Sequence, residues 1–361
     1  MRRHVLIFAL LTIPFITSAA PDVIKIDSGQ VSGTLVNGVR VFKGIPFAAP
    51  PVGDLRWRPP QPVASWTGVR AADAFGAECM QTPYPPASPY ARQNGPIGED
   101  CLYLNVWTTA APAEKRPVMV WIHGGAWTRG AGSVATYEGV ALAKKGVVVV
   151  TTNYRLGVFG FLAHPELTAE SPQHAAGNYA ILDHIAALKW VQKNIAAFGG
   201  DPNRVTIFGE SAGSWSVNVL QATPLANGLF QRAIGESGGQ FARTPTLAEM
   251  EEGGVRFARD GAGLDSLKAL RAAPAEKLVT IQAGRTAEVN VDGYVLPYTV
   301  RDLFAQKRAT AVPVLVGSNA DEWTTLGGLN RAQFPTTLEE YRFGCSASTA
   351  RRPRHCTLCT L

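Results

Sequence analysis

Apolar and polar residues alternate along residues 23–44 (VIKIDSGQVSGTLVNGVRVFKG), and Asn37-Gly38 interrupts the alternation. Period two is the mark of a half-buried strand, and Asn-Gly supplies the positive φ angles of a tight hairpin, so paired strands are predicted. Two continuous apolar runs follow, PVMVWIH at 117–123 and VVVVTT at 147–152. Runs without alternation suit strands covered on both faces of an α/β sheet. A crossover helix is predicted between them, over 135–145. In residues 177–198, Ile181, Ile185, Leu188, Val191 and Ile195 recur at helical spacing, and Gly199-Gly200-Asp201-Pro202 ends the pattern. Strands are further predicted at 205–209, 232–238 and 313–317, with helices from Ala212 onward and within 246–284. The proline-rich stretch 45–62 reads as a surface wrap. Strands alternating with helices predict an α/β fold with a mainly parallel central sheet and helices on both faces. No internal repeat and no linker demands a second folded domain.

Composition adds a compartment to this picture. The chain has 361 residues, 46% of them hydrophobic, which is ample for a large core. Arg2 and Arg3 are followed by an apolar run over residues 5–16 and by the small residues Thr17-Ser18-Ala19-Ala20. Charge, apolar core and small exit in this order form a secretory signal, with cleavage expected after Ala19 or Ala20. The apolar core is too short to span a bilayer and no other long apolar run exists, so no stable membrane anchor is expected. A secreted or periplasmic location follows. The net charge is +6, but Arg2, Arg3, Arg351, Arg352 and Arg354 sit at the two ends. The basic excess therefore makes no binding face, and nucleic acid is a poor partner. Cys79 and Cys101 lie in the body and can pair in an exported protein; Cys345, Cys356 and Cys359 crowd into the last residues.

The candidate chemistry begins in VTIFGESAGSW at 205–215. Gly-x-Ser-x-Gly after a β-branched run is how a strand breaks sharply into a helix with a serine on the bend. Gly209 and Gly213 keep that bend open, and the helix from Ala212 aims its N–H groups at developing negative charge. A second element, IHGGAW at 122–127, follows a predicted strand. Consecutive glycines bring backbone N–H groups to an oxyanion without a Cβ in the way. Gly124, Gly125 and Ala212 are the expected donors.

These elements and their surroundings resemble the type-B carboxylesterase family of α/β-hydrolases, the carboxylesterase and cholinesterase group. The matching pieces run in order: VFKGIPFAAPPVGDLRW, Cys79, EDCLYLNVW, HGGAW, NYRLGVFGFL, GNYAILDHIAALKWVQKNIAAFGGDP, VTIFGESAGSWSV, FQRAIGESG and VDGYVLP. The resemblance covers about residues 23–340. It implies an α/β-hydrolase that cleaves small-molecule carboxylic esters through a serine acyl-enzyme, with no metal or organic cofactor. It maps the nucleophile onto Ser211, the oxyanion donors onto Gly124, Gly125 and Ala212, and a disulfide onto Cys79 and Cys101. The family's acid falls on Glu322 within GSNADEW, with the adjacent Asp321 as the alternative; its role is to hold a histidine's tautomer. Trp127, Trp215 and Trp323 beside the motifs suit an aromatic-lined pocket, and core packing explains them equally well.

The base does not follow as directly. The chain order Ser, acid, His puts the histidine after Glu322, where only His355 stands. His4 lies in the signal, His123, His164, His174 and His184 in the body, and none of them is assigned as the base. Residues 344–361 (GCSASTARRPRHCTLCTL) show no hydrophobic period and are expected to be disordered. The abrupt change there points to a shifted reading frame or a truncation, leaving an esterase domain over 21–343 that is incomplete at its C-terminus. Turnover of this chain is then expected to be low, because loss of the base alone costs on the order of 10⁶ in a serine hydrolase. Strand 313–317 is expected at a sheet edge. Cys356 and Cys359 lack a second ligand pair, so no metal site is predicted. The competing class is a noncatalytic binding module of the same fold; such proteins typically lack the serine that this chain keeps. Substrate identity and oligomeric state are not fixed by these features.

Overall fold

The computed structural model describes residues 23–91, 95–241, 243–282, 287–320 and 322. The signal at 1–20, the tail at 344–361, Asp321, Trp323, His4 and His355 lie outside the described residues. The chain divides into two compact units, 1–316 and 317–361.

Eight strands form the main sheet: β1 (Thr34–Val36), β2 (Val39–Pro46), β3 (Tyr103–Thr108), β4 (Arg116–Ile122), β5 (Val148–Thr152), β6 (Gly200–Glu210), β7 (Arg232–Glu236) and β8 (Val314–Gly317). Their spatial order is β8-β7-β6-β4-β5-β3-β2-β1. Strands β7, β6, β4 and β5 pair parallel. Strands β5, β3, β2 and β1 pair antiparallel. The sheet is therefore mixed, a refinement of the mainly parallel sheet expected. One of the antiparallel pairs has a local cause: Asn37 and Gly38 have φ of 51° and 80°, and that turn closes a two-residue hairpin between β1 and β2. Residues 23–32 leave this sheet and form a small separate one with Val69–Ala71.

The helix predicted from periodicity is α1 (Tyr179–Asn194), continued by a 3-10 turn over Ile195–Phe198. Ile181, Ile185, Leu188, Val191 and Ile195 are all buried, in one cluster with Val118, Val120, Val148, Val150, Val205 and Ile207 from the parallel strands. Each such side chain contributes about 1.5–3 kcal/mol on burial. Val149 joins a different cluster with Val39, Val41, Trp107 and Ala143. Successive residues of β5 thus serve two cores, one on each face, which is why its sequence does not alternate.

Three expectations shift. Over 135–145 there is only a 3-10 turn (Ala135–Tyr137) and one helical turn (Val140–Ala143). Gly139 separates them, and a Cβ there would lie 2.7 Å from the Trp107 ring. Residues 246–284 hold three helices, Leu247–Arg256, Leu267–Ala272 and Ala275–Gln282, with a π-helical turn over Phe257–Ala262. The proline-rich stretch is not merely a surface wrap. Trp57 is buried and its Nε1 donates to Val158 O at 2.8 Å, while Arg56 pairs with Glu99 and donates to the carbonyls of Leu270, Arg271 and Ala273.

Candidate active site

Strand β6 stops at Glu210, and α2 (Ala212–Ala222) begins one residue later. Ser211 occupies the bend with φ 54° and ψ −120°, strained for a residue with a side chain. The bend exists because its flanks have no Cβ. One on Gly213 would lie 2.0 Å from Ile122 O, and one on Gly209 would lie 2.6 Å from the Gly213 carbonyl carbon. The Ser211 amide donates to Glu236 O at 2.9 Å, and its carbonyl accepts from Trp215 N–H at 3.0 Å to open the helix. Ser211 is half-buried, so its hydroxyl stands at the positive end of α2.

Strand β4 lies beside β6, with Gly209 opposite Ile122. Its C-terminal end therefore delivers His123-Gly124-Gly125 to the same place. A Cβ on Gly124 would lie 2.8 Å from Glu210 O and 3.2 Å from Ser211 Cβ, so the absent carbon is what lets the glycine loop approach the nucleophile. Gly125 has φ 104°, and a Cβ there would lie 2.1 Å from Arg129 O. The next two residues, Ala126 and Trp127, also have positive φ, 54° and 57°. They carry no glycine to announce it. The Ala126 N–H lies at the exposed tip of this turn, a further donor position with no sequence signature.

The turn is anchored from below. Trp127 is buried, and its Nε1 donates to Ser216 Oγ at 2.8 Å, which in turn donates to Ala212 O at 3.1 Å. Its ring meets Trp215 edge-on at 5.3 Å and stacks on Phe161 at 5.0 Å. Two of the three tryptophans singled out by sequence thus pack together next to the bend. Tyr154 donates from its hydroxyl to His123 O at 2.8 Å and stacks on the His123 ring at 4.3 Å.

The histidines sort by burial. His123 and His184 are both enclosed, and each ring lies against Tyr154. Burial pulls their pKa down, to about 4 for His123 and about 3 for His184, so both are neutral at neutral pH. His123 Nδ1 is engaged with Gly124 O at 2.8 Å. His164 Nδ1 accepts from Glu166 N–H at the start of a short helix, and His174 sits in a turn with φ 49°. Among the described residues no histidine hydrogen-bonds Ser211.

Two carboxylates flank the bend. Glu210, the residue before Ser211, is opposite Glu236 of β7, whose pKa is raised by burial. Neither has a signature beyond its place in the motif. In the second unit, Glu322 Oε1 accepts from Asn319 N–H at 2.7 Å. Cys79 and Cys101 form a disulfide with Cα atoms 5.0 Å apart, both buried. Among the described residues no group of three or more His, Cys, Asp or Glu side chains is placed to hold a metal. None of their helices is long and apolar enough to cross a membrane.

Comparison with known proteins agrees with this geometry. A sequence model described as the carboxylesterase family matches residues 20–344. A fumonisin B1 esterase from Sphingopyxis macrogoltabida is 46% identical over 307 residues, covering 82% of this chain and 55% of that protein. A para-nitrobenzyl esterase from Bacillus subtilis is 42% identical over 317 residues, covering 83% of this chain and 63% of its own length. The chain thus spans little more than half the length of these relatives. The solved structure of the Geobacillus stearothermophilus carboxylesterase EST55 at pH 6.8 superposes with a TM-score of 0.78 at 41% identity, over 88% of this chain and 67% of that one. By sequence and by fold, the chain belongs to the carboxylesterase family of α/β-hydrolases.

Proposed function

We propose that the protein is a carboxylic ester hydrolase in which Ser211 is the nucleophile. The observation that carries this reading is the convergence of two adjacent strand ends. Ser211 stands on a strained bend at the N-terminus of α2, and Gly124 comes so close that a Cβ on it would lie 3.2 Å from the Ser211 Cβ. Ser211 Oγ attacks the ester carbonyl, and the carbonyl oxygen gains negative charge as the tetrahedral intermediate forms. The N–H groups of Gly124, Gly125 and Ala212 receive that charge, and removing one such donor costs about 2.7–4 kcal/mol of barrier. The alcohol leaves, and water releases the acyl group from Ser211. Glu322 is the acid that orients a histidine. His123 and His184 are not that histidine, because both are enclosed and neutral. His355, the one that follows Glu322 in the chain, is left unassigned.

The substrate class is small-molecule esters, as for the esterases it resembles. Export is part of the same proposal, supported by the charge, apolar and small-residue order of 1–20 and by the Cys79–Cys101 disulfide. The domain assignment is a signal at 1–20 and an esterase region over 21–343.

A serine-directed fluorophosphonate tests the core of the reading. Labelling far slower than in a serine hydrolase with its base is expected, and Ser211→Ala is expected to abolish it. Labelling that survives Ser211→Ala moves the nucleophile elsewhere, and no labelling of the folded wild-type chain leaves the noncatalytic class or a fragment without its base.

A further inference from the structure

We propose that Arg129 and Tyr84 form an anion-recognising subsite beside the glycine loop, which directs the ester site toward esters that carry a free carboxylate. This rests on the ester-hydrolase reading and adds a substrate class to it.

The geometry starts from Gly125. Arg129 N–H donates to Gly125 O at 3.1 Å, and the Arg129 carbonyl packs on the Gly125 Cα. The backbone of Arg129 is therefore locked to the same turn that offers oxyanion donors. Its guanidinium is placed over the Tyr84 ring, 5.2 Å from the centroid. The Tyr84 hydroxyl comes back to the same point, 3.0 Å from where a Cβ on Gly125 would stand. Cation, phenol and glycine loop thus close a small ring of contacts at the rim of the site.

Arg70 and Arg308 also lie over aromatic rings without an ion pair among the described residues, but both are exposed, whereas Arg129 is half-buried. Arg56, Arg155 and Arg271 each hold a carboxylate, of Glu99, Asp183 and Glu170 respectively. Arg129 is half-buried and held in place, yet it forms no ion pair among the described residues. A planar guanidinium presented this way keeps its fork of donors for an external carboxylate. The phenol next to it adds a neutral donor. Burial raises the Tyr84 pKa, Arg129 opposes that rise, and Tyr90 and Glu210 each add a smaller push upward. Placed beside the oxyanion donors, this cation reads a second negative charge, separate from the one that develops on the carbonyl oxygen.

The test uses amide analogues, so that it reads binding rather than turnover. Calorimetry on the full chain compares glutaranilate, with its carboxylate on the acyl side, against N-phenylbutanamide. It also compares 4-acetamidobenzoate, with its carboxylate on the leaving-group side, against acetanilide. At least one anionic probe is expected to bind about 10-fold or more tighter than its neutral counterpart, the scale of one charge-assisted hydrogen bond. The preference is expected to shrink with added salt, to collapse in Arg129→Gln and to survive in part in Arg129→Lys. Whichever pair shows the preference identifies the side of the ester that carries the carboxylate. Equal binding within both pairs overturns the proposal, as does a preference that persists in a folded Arg129→Gln protein. Fluorophosphonate labelling separates the two levels: labelling of Ser211 without anion preference sinks the subsite alone, and labelling that survives Ser211→Ala sinks the ester site itself.

Discussion

Strands β5 and β8 are written in nearly the same letters, VVVTT and VLVG, and live in opposite surroundings. Every residue of β5 is buried, between β4 and β3, with cores on both faces. Strand β8 lies at one edge of the sheet, where Val314, Leu315 and Val316 are 48%, 64% and 69% exposed. An apolar run therefore decides that a strand forms; its neighbours decide whether the run is a core. Among the described residues β5 is the middle of the molecule and β8 an uncovered margin, and exposed apolar edges are templates for pairing with other chains.

One substitution made twice breaks this comparison most sharply. Val150→Asp places an unpaired carboxylate where no water reaches, and a loss of more than about 4 kcal/mol is expected, seen as the disappearance of a cooperative urea transition. If Val150→Asp leaves the transition in place, β5 is not the core described here. Next in size is the ion pair that follows β5. Arg155 donates to both carboxylate oxygens of Asp183 at 2.7 and 2.8 Å, and both side chains are buried. Asp183→Asn leaves that guanidinium uncompensated and is expected to cost about 3–5 kcal/mol in denaturant titration.

The pH dependence is smaller and belongs to the same buried region. His123 and His184 have folded pKa values of about 4 and about 3, below the ordinary value of 6.5. The unfolded chain then binds protons that the folded chain refuses. Stability is fully present above about pH 6.5 and is lost as pH falls toward those values, by about 1.4 kcal/mol per pH unit for each histidine. Melting temperature followed from pH 7 to pH 4.5 is expected to fall, and His184→Gln is expected to flatten the fall. A curve independent of pH over that window contradicts the enclosure of both rings. The smallest effect is expected at the margin. Leu315→Asp is expected to change stability by about 0.5 kcal/mol or less, while lowering self-association in sedimentation. A large destabilisation there means that β8 is covered in solution.

Much of the fold was legible because its signals are local. The spacing of Ile181, Ile185, Leu188 and Val191 marks α1, and Asn37-Gly38 marks a hairpin. The bend at Ser211 is legible for the same reason, since Gly209 and Gly213 are the residues that such close contacts demand. What escaped depends on distant partners. Arg56 and Trp57 look like surface residues in a proline-rich stretch, and only Glu99, Val158 and the carbonyls of 270–273 make them interior. The positive φ of Ala126 and Trp127 has no local signature either, because Trp127 is held there by packing and by Ser216 rather than by its own preference. The same holds for Arg129, whose position comes from the Gly125 turn and the ring of Tyr84.

The bond from Trp127 to Ser216 also bears on how the molecule moves. The glycine turn is a surface loop by sequence, yet its root is pinned to the second turn of α2, the helix that carries Ser211 at its head. Loop and nucleophile are thus fastened to one shaft. A fluctuation that tilts α2 carries both with it, and their separation is conserved while their common orientation drifts. The amide of Trp127 should accordingly exchange with solvent deuterium on the slow timescale of the helix interior rather than on that of exposed turns.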